Sequence, residues 1–130
     1  MGQFKVVFYN DKKGNCPFLD YYKKLKDKKE RGIKESRVLF DAISIRFRHL
    51  REIGTRKGMP DFRYINGSKY SIWEIRIKHK NGYFRIFIYR NKDKYIVLNY
   101  FWKKQKKTPL REIRKAEKLV EDIKIRFGGE

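Results

Sequence analysis

Arg76 and Arg85 flank the turn signal Asn81-Gly82, and Lys103 and Lys104 open the basic run that ends in Lys106-Lys107-Thr108. Guanidinium groups donate planar, bidentate hydrogen bonds to phosphate oxygens, and clustered ammonium groups neutralise charge that builds up around phosphorus. The reaction such a set suits is attack of an RNA 2′-hydroxyl on the adjacent phosphate, because that nucleophile is already tethered to its target and needs no metal to generate it. Two protons must still move. Neighbouring cations disfavour the protonated form of an amine, so Lys103 or Lys104 can exchange protons within the run, and the imidazole of His79 can do so with less adjustment. Lys78, His79, Tyr89, Lys106 and Lys107 are the expected contacts to the rest of the nucleic acid, with Tyr100 as a further neighbour.

A sheet is needed to hold these groups on one surface. From Tyr70 to Lys78, period two turns Trp73, Ile75 and Ile77 one way and Glu74, Arg76 and Lys78 the other. After the hairpin at Asn81-Gly82, Phe84, Ile86 and Ile88 oppose Arg85, Phe87 and Tyr89, so Arg76 and Arg85 share a polar face. A turn at Asn91 to Lys94 leads to a third strand, Tyr95 to Trp102, and Thr108-Pro109 caps a helix that carries Leu110, Ile113, Ala116, Val120 and Ile123. Upstream, Phe4 to Tyr9 is apolar on both sides except at Lys5, the pattern of a strand covered on both faces and away from a sheet edge. Pro17 suits the first position of a helix striped with Phe18, Tyr22 and Leu25. Gly32 separates it from a second helix, where Leu39, Phe40, Ile43, Phe47 and Leu50 recur and Gly54 marks the end. Gly54 to Lys69 reads as a loop. The order β-α-α-β-β-β-α defines an α+β fold: a small, mostly antiparallel sheet, two N-terminal helices and a C-terminal helix.

Composition agrees with a polyanionic partner. The 130 residues contain 35 Lys and Arg against 15 Asp and Glu, a net charge of +20. So large an imbalance destabilises a compact monomer by self-repulsion, and nucleic acid or an acidic protein would relieve it. The length fits one domain, 1–130. Aromatic residues, 16% of the chain, offset a modest aliphatic share of the core. One cysteine, Cys16, forms no intramolecular disulfide, and the chain carries no Cys/His cluster, no Gly-rich phosphate loop and no nucleophile elbow. No metal and no cofactor is expected. With neither a signal core nor a run of about 18 apolar residues, the expected location is the cytoplasm, without membrane contact. The same residues also fit a second class of protein, a non-catalytic nucleic-acid binder held by counterion release alone.

Four segments taken together, Trp73-Glu74-Ile75-Arg76, Gly82-Tyr83-Phe84-Arg85, Phe101-Trp102-Lys103-Lys104 and Lys107-Thr108-Pro109 with Ala116, resemble the phage-derived, HigB-like branch of the RelE toxin superfamily. The resemblance spans roughly residues 70 to 125. It implies a toxin of a type II toxin–antitoxin pair, an endoribonuclease that cleaves mRNA on the ribosome without a metal. By the same resemblance Arg85 is a ligand of the phosphate and transition state, Arg76 lies in the same cleft, and Lys103 and Lys104 stabilise charge or protonate the leaving group. The implied partners are mRNA on the ribosome and a cognate helix-turn-helix antitoxin, the latter in a toxin–antitoxin hetero-oligomer. Asn99 stands where many relatives carry a histidine. Asparagine cannot shuttle a proton, so a lysine or His79 takes over, or the member is slow or inactive. The superfamily also contains ParE-like toxins directed at DNA gyrase, so fold alone does not decide the target.

Overall fold

The computed structural model describes residues 3–104 and 107–128, and within them the elements follow the expected order with one addition. Strand β1 (Lys5–Phe8) is followed by helices α1 (Pro17–Glu30) and α2 (Lys34–Ile53), then strands β2 (Phe62–Tyr64), β3 (Ile72–His79), β4 (Gly82–Asn91) and β5 (Lys94–Lys103), and helix α3 (Leu110–Phe127). The sheet has the order β1-β5-β4-β3-β2, with β1 parallel to β5 and every other pair antiparallel. The fold is α+β, and its order fits a small RelE-like architecture. Among the described residues no helix is long and apolar enough to cross a membrane.

Period two sorts the sheet into two faces, each with its own core. Ile75, Ile77, Phe84, Ile86, Ile88 and Val97 meet Phe18 and Leu25 of α1 and Leu39, Ile43, Phe47 and Leu50 of α2. Ile72, Phe87, Tyr89 and Leu98 meet Ile113, Ala116, Val120 and Ile123 of α3. Pro17 opens α1 as expected, and Gly54, at φ 67°, closes α2. Gly82 is required for close approach, since a Cβ there would lie 3.2 Å from the Lys103 carbonyl oxygen. The hairpin loop itself is Lys80-Asn81, because Gly82 already pairs with His79, and Lys80 takes the positive φ of 57°.

Two expectations are corrected. β1 is an edge strand: Val6 and Phe8 pack towards α1 and α2, but Val7 on the other face is 37% exposed, because apolar residues on both faces did not require cover on both. The segment from Gly54 to Lys69 is more than a loop. It begins as a 3₁₀ turn, Gly54–Lys57, and supplies β2, which exists because Phe62 buries its ring in the α1/α2 core while Tyr64 meets Trp73 edge-on at 5.2 Å.

A carboxylate fastens α3 to the loop between β2 and β3. Glu117, 5% exposed, accepts from the Ser68 hydroxyl at 2.9 Å, the Lys69 N–H at 3.2 Å and Arg114 at 2.7 Å. Burial alone would raise its carboxyl, but those donors outweigh burial and hold it below the ordinary value. A depressed carboxylate contributes stability above its unfolded pKa, about 4.3, and loses it as pH falls through the folded value. Thermal melts between pH 7 and pH 3 should therefore show Tm dropping below about pH 4. Glu117→Gln should lower Tm at pH 7 and flatten the profile.

Candidate functional site

Helix α3 packs on the part of its sheet face that carries Ile72, Phe87, Tyr89 and Leu98, and the charged residues follow from there towards the β3–β4 hairpin. The strand register lays them out in three successive rungs. Arg63, Glu74, Phe87 and Asn99 face one another across β2, β3, β4 and β5; next come Arg76, Arg85 and Phe101; then Lys78, Tyr83 and Lys103. Arg76 and Arg85 thus share one face as expected, and the register sets them directly opposite each other.

The centre of this surface is Glu74, whose side chain has no exposed surface. Its Oε2 lies 3.5 Å from an Arg85 terminal nitrogen, and its Oε1 lies 3.5 Å from Arg76 Nε. Thr108, just ahead of α3, donates its hydroxyl to Glu74 at 2.7 Å and accepts from Arg85 at 3.0 Å. This corrects the expectation that Thr108 caps the helix: the first-turn cap position is Pro109 with no side-chain cap, because the hydroxyl serves the buried ion pair instead. Tyr83 lies beneath both guanidinium groups, 5.6 Å from Arg76 and 5.4 Å from Arg85. The Arg85 side chain is fully buried and that of Arg76 is 13% exposed. Burial pushes the Arg85 guanidinium below its ordinary value; Glu74 opposes this, while Arg76 and Arg63 add to it. Arg76 and Arg85 thus both contact Glu74, and Arg63 stands opposite that carboxylate in the strand register.

The remaining sequence candidates divide between locations. Lys78 is exposed on the arginine face, and Lys103, half-buried at the end of β5, lies opposite Tyr83 on that face. His79 alternates with Ile75 and Ile77 and lies on the α1/α2 face, 5.7 Å from Trp102, so it does not join the arginines as expected. Lys104 lines the same cleft as His79 and Trp102. Tyr89 is on the arginine face, but α3 covers it to 5% exposure, which removes it as a contact for nucleic acid in this arrangement. Tyr100 packs on Tyr21 at 4.7 Å on the α1/α2 face. Lys107 is exposed, and Lys106 lies outside the described residues. Asn99 sits beside Phe87 next to a register shift, its amide oxygen buried and without a hydrogen-bond partner among the described residues. Among those residues no three His, Cys, Asp or Glu side chains come together as metal ligands.

A family model for the phage derived protein Gp49-like family (DUF891) matches residues 40–121. The chain belongs to the Gp49-like family. The matched segment runs from α2 into α3 and contains Arg63, Glu74, Arg76, Tyr83, Arg85, Lys103 and Thr108. No curated protein matches the chain. Membership in the Gp49-like family is consistent with a toxin of a toxin–antitoxin pair.

Sequence reasoning missed Arg63, the pivotal place of Glu74, and Thr108 as its partner. Glu74 was legible, since it alternates with Arg76 on one strand face. Arg63 was not, because a three-residue strand between glycine and proline signals leaves no period to read.

Removing one member of a buried ion pair costs about 3–5 kcal/mol, whereas replacing both by apolar groups of similar volume is close to neutral. Arg85→Met should therefore lower stability by about that amount in urea unfolding. Glu74→Leu combined with Arg85→Met should recover at least about 2 kcal/mol of the loss. Additive losses in the double variant would show that the pair does not share one interaction.

Proposed function

We propose that this protein is the toxin of a type II toxin–antitoxin pair and cleaves mRNA on the ribosome by attack of a 2′-hydroxyl on its adjacent phosphate. The observation that carries the reading is the grouping of Arg63, Arg76 and Arg85 around Glu74 on successive rungs of the α3 face, with Lys78 and Lys103 on the next rung towards the hairpin. Membership in a phage-derived family and the sequence likeness to HigB-like toxins support the same reading.

In this mechanism Arg76, the more accessible of the central pair, meets the scissile phosphate, with Arg63 and Lys78 on either side. Arg85 is a positioning residue in the present arrangement, because its guanidinium is enclosed with Glu74 and Thr108. Through Glu74 it fixes the direction from which Arg76 approaches. As the 2′-oxygen bonds to phosphorus, the bond to the 5′-oxygen breaks, leaving a 2′,3′-cyclic phosphate and a 5′-hydroxyl. One proton leaves the 2′-hydroxyl and one reaches the departing 5′-oxygen. Of Lys103, Lys104 and His79, Lys103 alone is in register with the arginine face, which makes it the preferred group for proton transfer. The proposed partners are mRNA on the ribosome and a helix-turn-helix antitoxin bearing acidic segments, a chemistry suited to a toxin of net charge +20.

A second reading, nucleic-acid binding without cleavage, is favoured by one feature. Arg85 is engaged with Glu74 and Thr108, and both histidines belong to the α1/α2 side, His49 on α2 and His79 with Ile75 and Ile77. Brief induction in a sensitive host, with growth followed and transcript 5′ ends mapped, separates the readings. Wild type should arrest growth and cut inside translated frames. Arg76→Ala, at a partly exposed position, should keep the fold and lose cleavage by about 100-fold or more, the scale of one preorganised transition-state donor. Arrest with intact transcripts would redirect the search to a protein target such as gyrase, and normal growth with intact transcripts would leave the binding reading.

A further inference from the structure

The end of the sheet nearest the β3–β4 hairpin carries a second surface, on the opposite face from the arginines. Trp102, next to last in β5, is 46% exposed although Phe84 lies beneath it, edge-on at 5.2 Å. His79 adjoins its indole at 5.7 Å, and Tyr21 lines the same cleft. Two clefts, of about 230 and 450 Å³, meet along His79, Lys80 and Trp102. Their charged lining is Lys24, Lys28, Lys80, Lys103 and Lys104 against the lone acid Glu35, which pairs with Lys80 at 2.5 Å.

We infer that Trp102 is a stacking platform for one base of single-stranded RNA, whose backbone runs through the lysines of these clefts. An aromatic ring fixed by its own neighbours and ringed by cations is the combination that binds single strands: stacking holds the base, and the cations hold the phosphates on either side. A duplex presents its bases already stacked and gains only the electrostatic part. An acidic peptide would satisfy the lysines but would leave the indole without a planar partner. Lys103 connects this surface with the proposed site, since it lines the larger cleft and also stands opposite Tyr83 on the arginine face. An RNA strand turning around the end of β5 meets Trp102 on one face and Arg76 on the other. The inference rests on the reading of the protein as one that handles RNA, and it adds the residue that receives a neighbouring base.

The test uses the full chain and a fluorescent ten-nucleotide 2′-O-methyl RNA, which cannot be cleaved, as a single strand and as a duplex. Affinity is measured by anisotropy for wild type, Trp102→Leu and Trp102→Phe, each checked for an unchanged thermal melt. Trp102→Leu should weaken single-strand binding by about 5- to 150-fold and leave duplex binding within about twofold, while Trp102→Phe should retain most of the affinity. Equal single-strand binding by wild type and Trp102→Leu would overturn the platform, as would equal losses for single strand and duplex or displacement of the RNA by poly-glutamate with the same Trp102 dependence. Were wild type to bind neither RNA form, the RNA reading itself would fall. Binding that is independent of Trp102 would remove only the platform.

Discussion

One carboxylate with no exposed surface, that of Glu74, organises the candidate site. Desolvating a charge is tolerable only when partners replace the lost water, and Glu74 receives Arg76, Arg85 and the Thr108 hydroxyl. Each of those partners comes from a different element: β3, β4 and the segment leading into α3. The same contact that neutralises the carboxylate therefore fixes where α3 begins and how far it can extend over the sheet. Because the helix starts beyond Thr108, the rungs containing Arg76, Lys78 and Lys103 remain outside its cover.

The two faces of the sheet carry different loads as a consequence. The core on the α1/α2 side is aromatic, with the rings of Phe8, Phe18 and Phe47 in mutual contact and Tyr100 against Phe18, and its burial helps to offset a net charge of +20. The α3 side is apolar only under the helix and cationic beyond it. Concentrating like charges there has an electrostatic cost: burial first lowers the Arg85 guanidinium, and Arg76 and Arg63 add to it against the opposing Glu74. A bound phosphate would remove that cost, which is the physical reason to read this surface as a place where a polyanion is held.

Much of this was legible in the sequence. Alternation was enough to put Arg76 and Arg85 on one face, although a turn at Asn81-Gly82 would have set Arg76 opposite Phe87, and only the loop at Lys80-Asn81 sets it opposite Arg85. The three-four spacing of Leu39, Ile43, Phe47 and Leu50 was enough to give α2 its buried side. His79 could have been assigned to the other face by the same alternation that sorted Ile75 and Ile77, had the strand been extended by one residue. Tyr89 could not be judged that way, because period two reports the face of a sheet and not how far a helix covers it. The position of β1 at an edge was hidden for a related reason: strand order is a property of tertiary pairing, and four residues carry no record of it. Thr108 obeyed neither local rule, since a Thr-Pro pair reads as a helix cap until a buried carboxylate competes for the hydroxyl.

The most direct test of the central claim is the structure of this protein with a short RNA whose 2′-hydroxyl is methylated at the cleavage position. The account predicts the scissile phosphate against Arg76 on the α3 side of the sheet, with Arg63 and Lys103 within reach and Glu74 still enclosed between its arginines. RNA bound only on the α1/α2 side, with the arginine rungs empty, would contradict it.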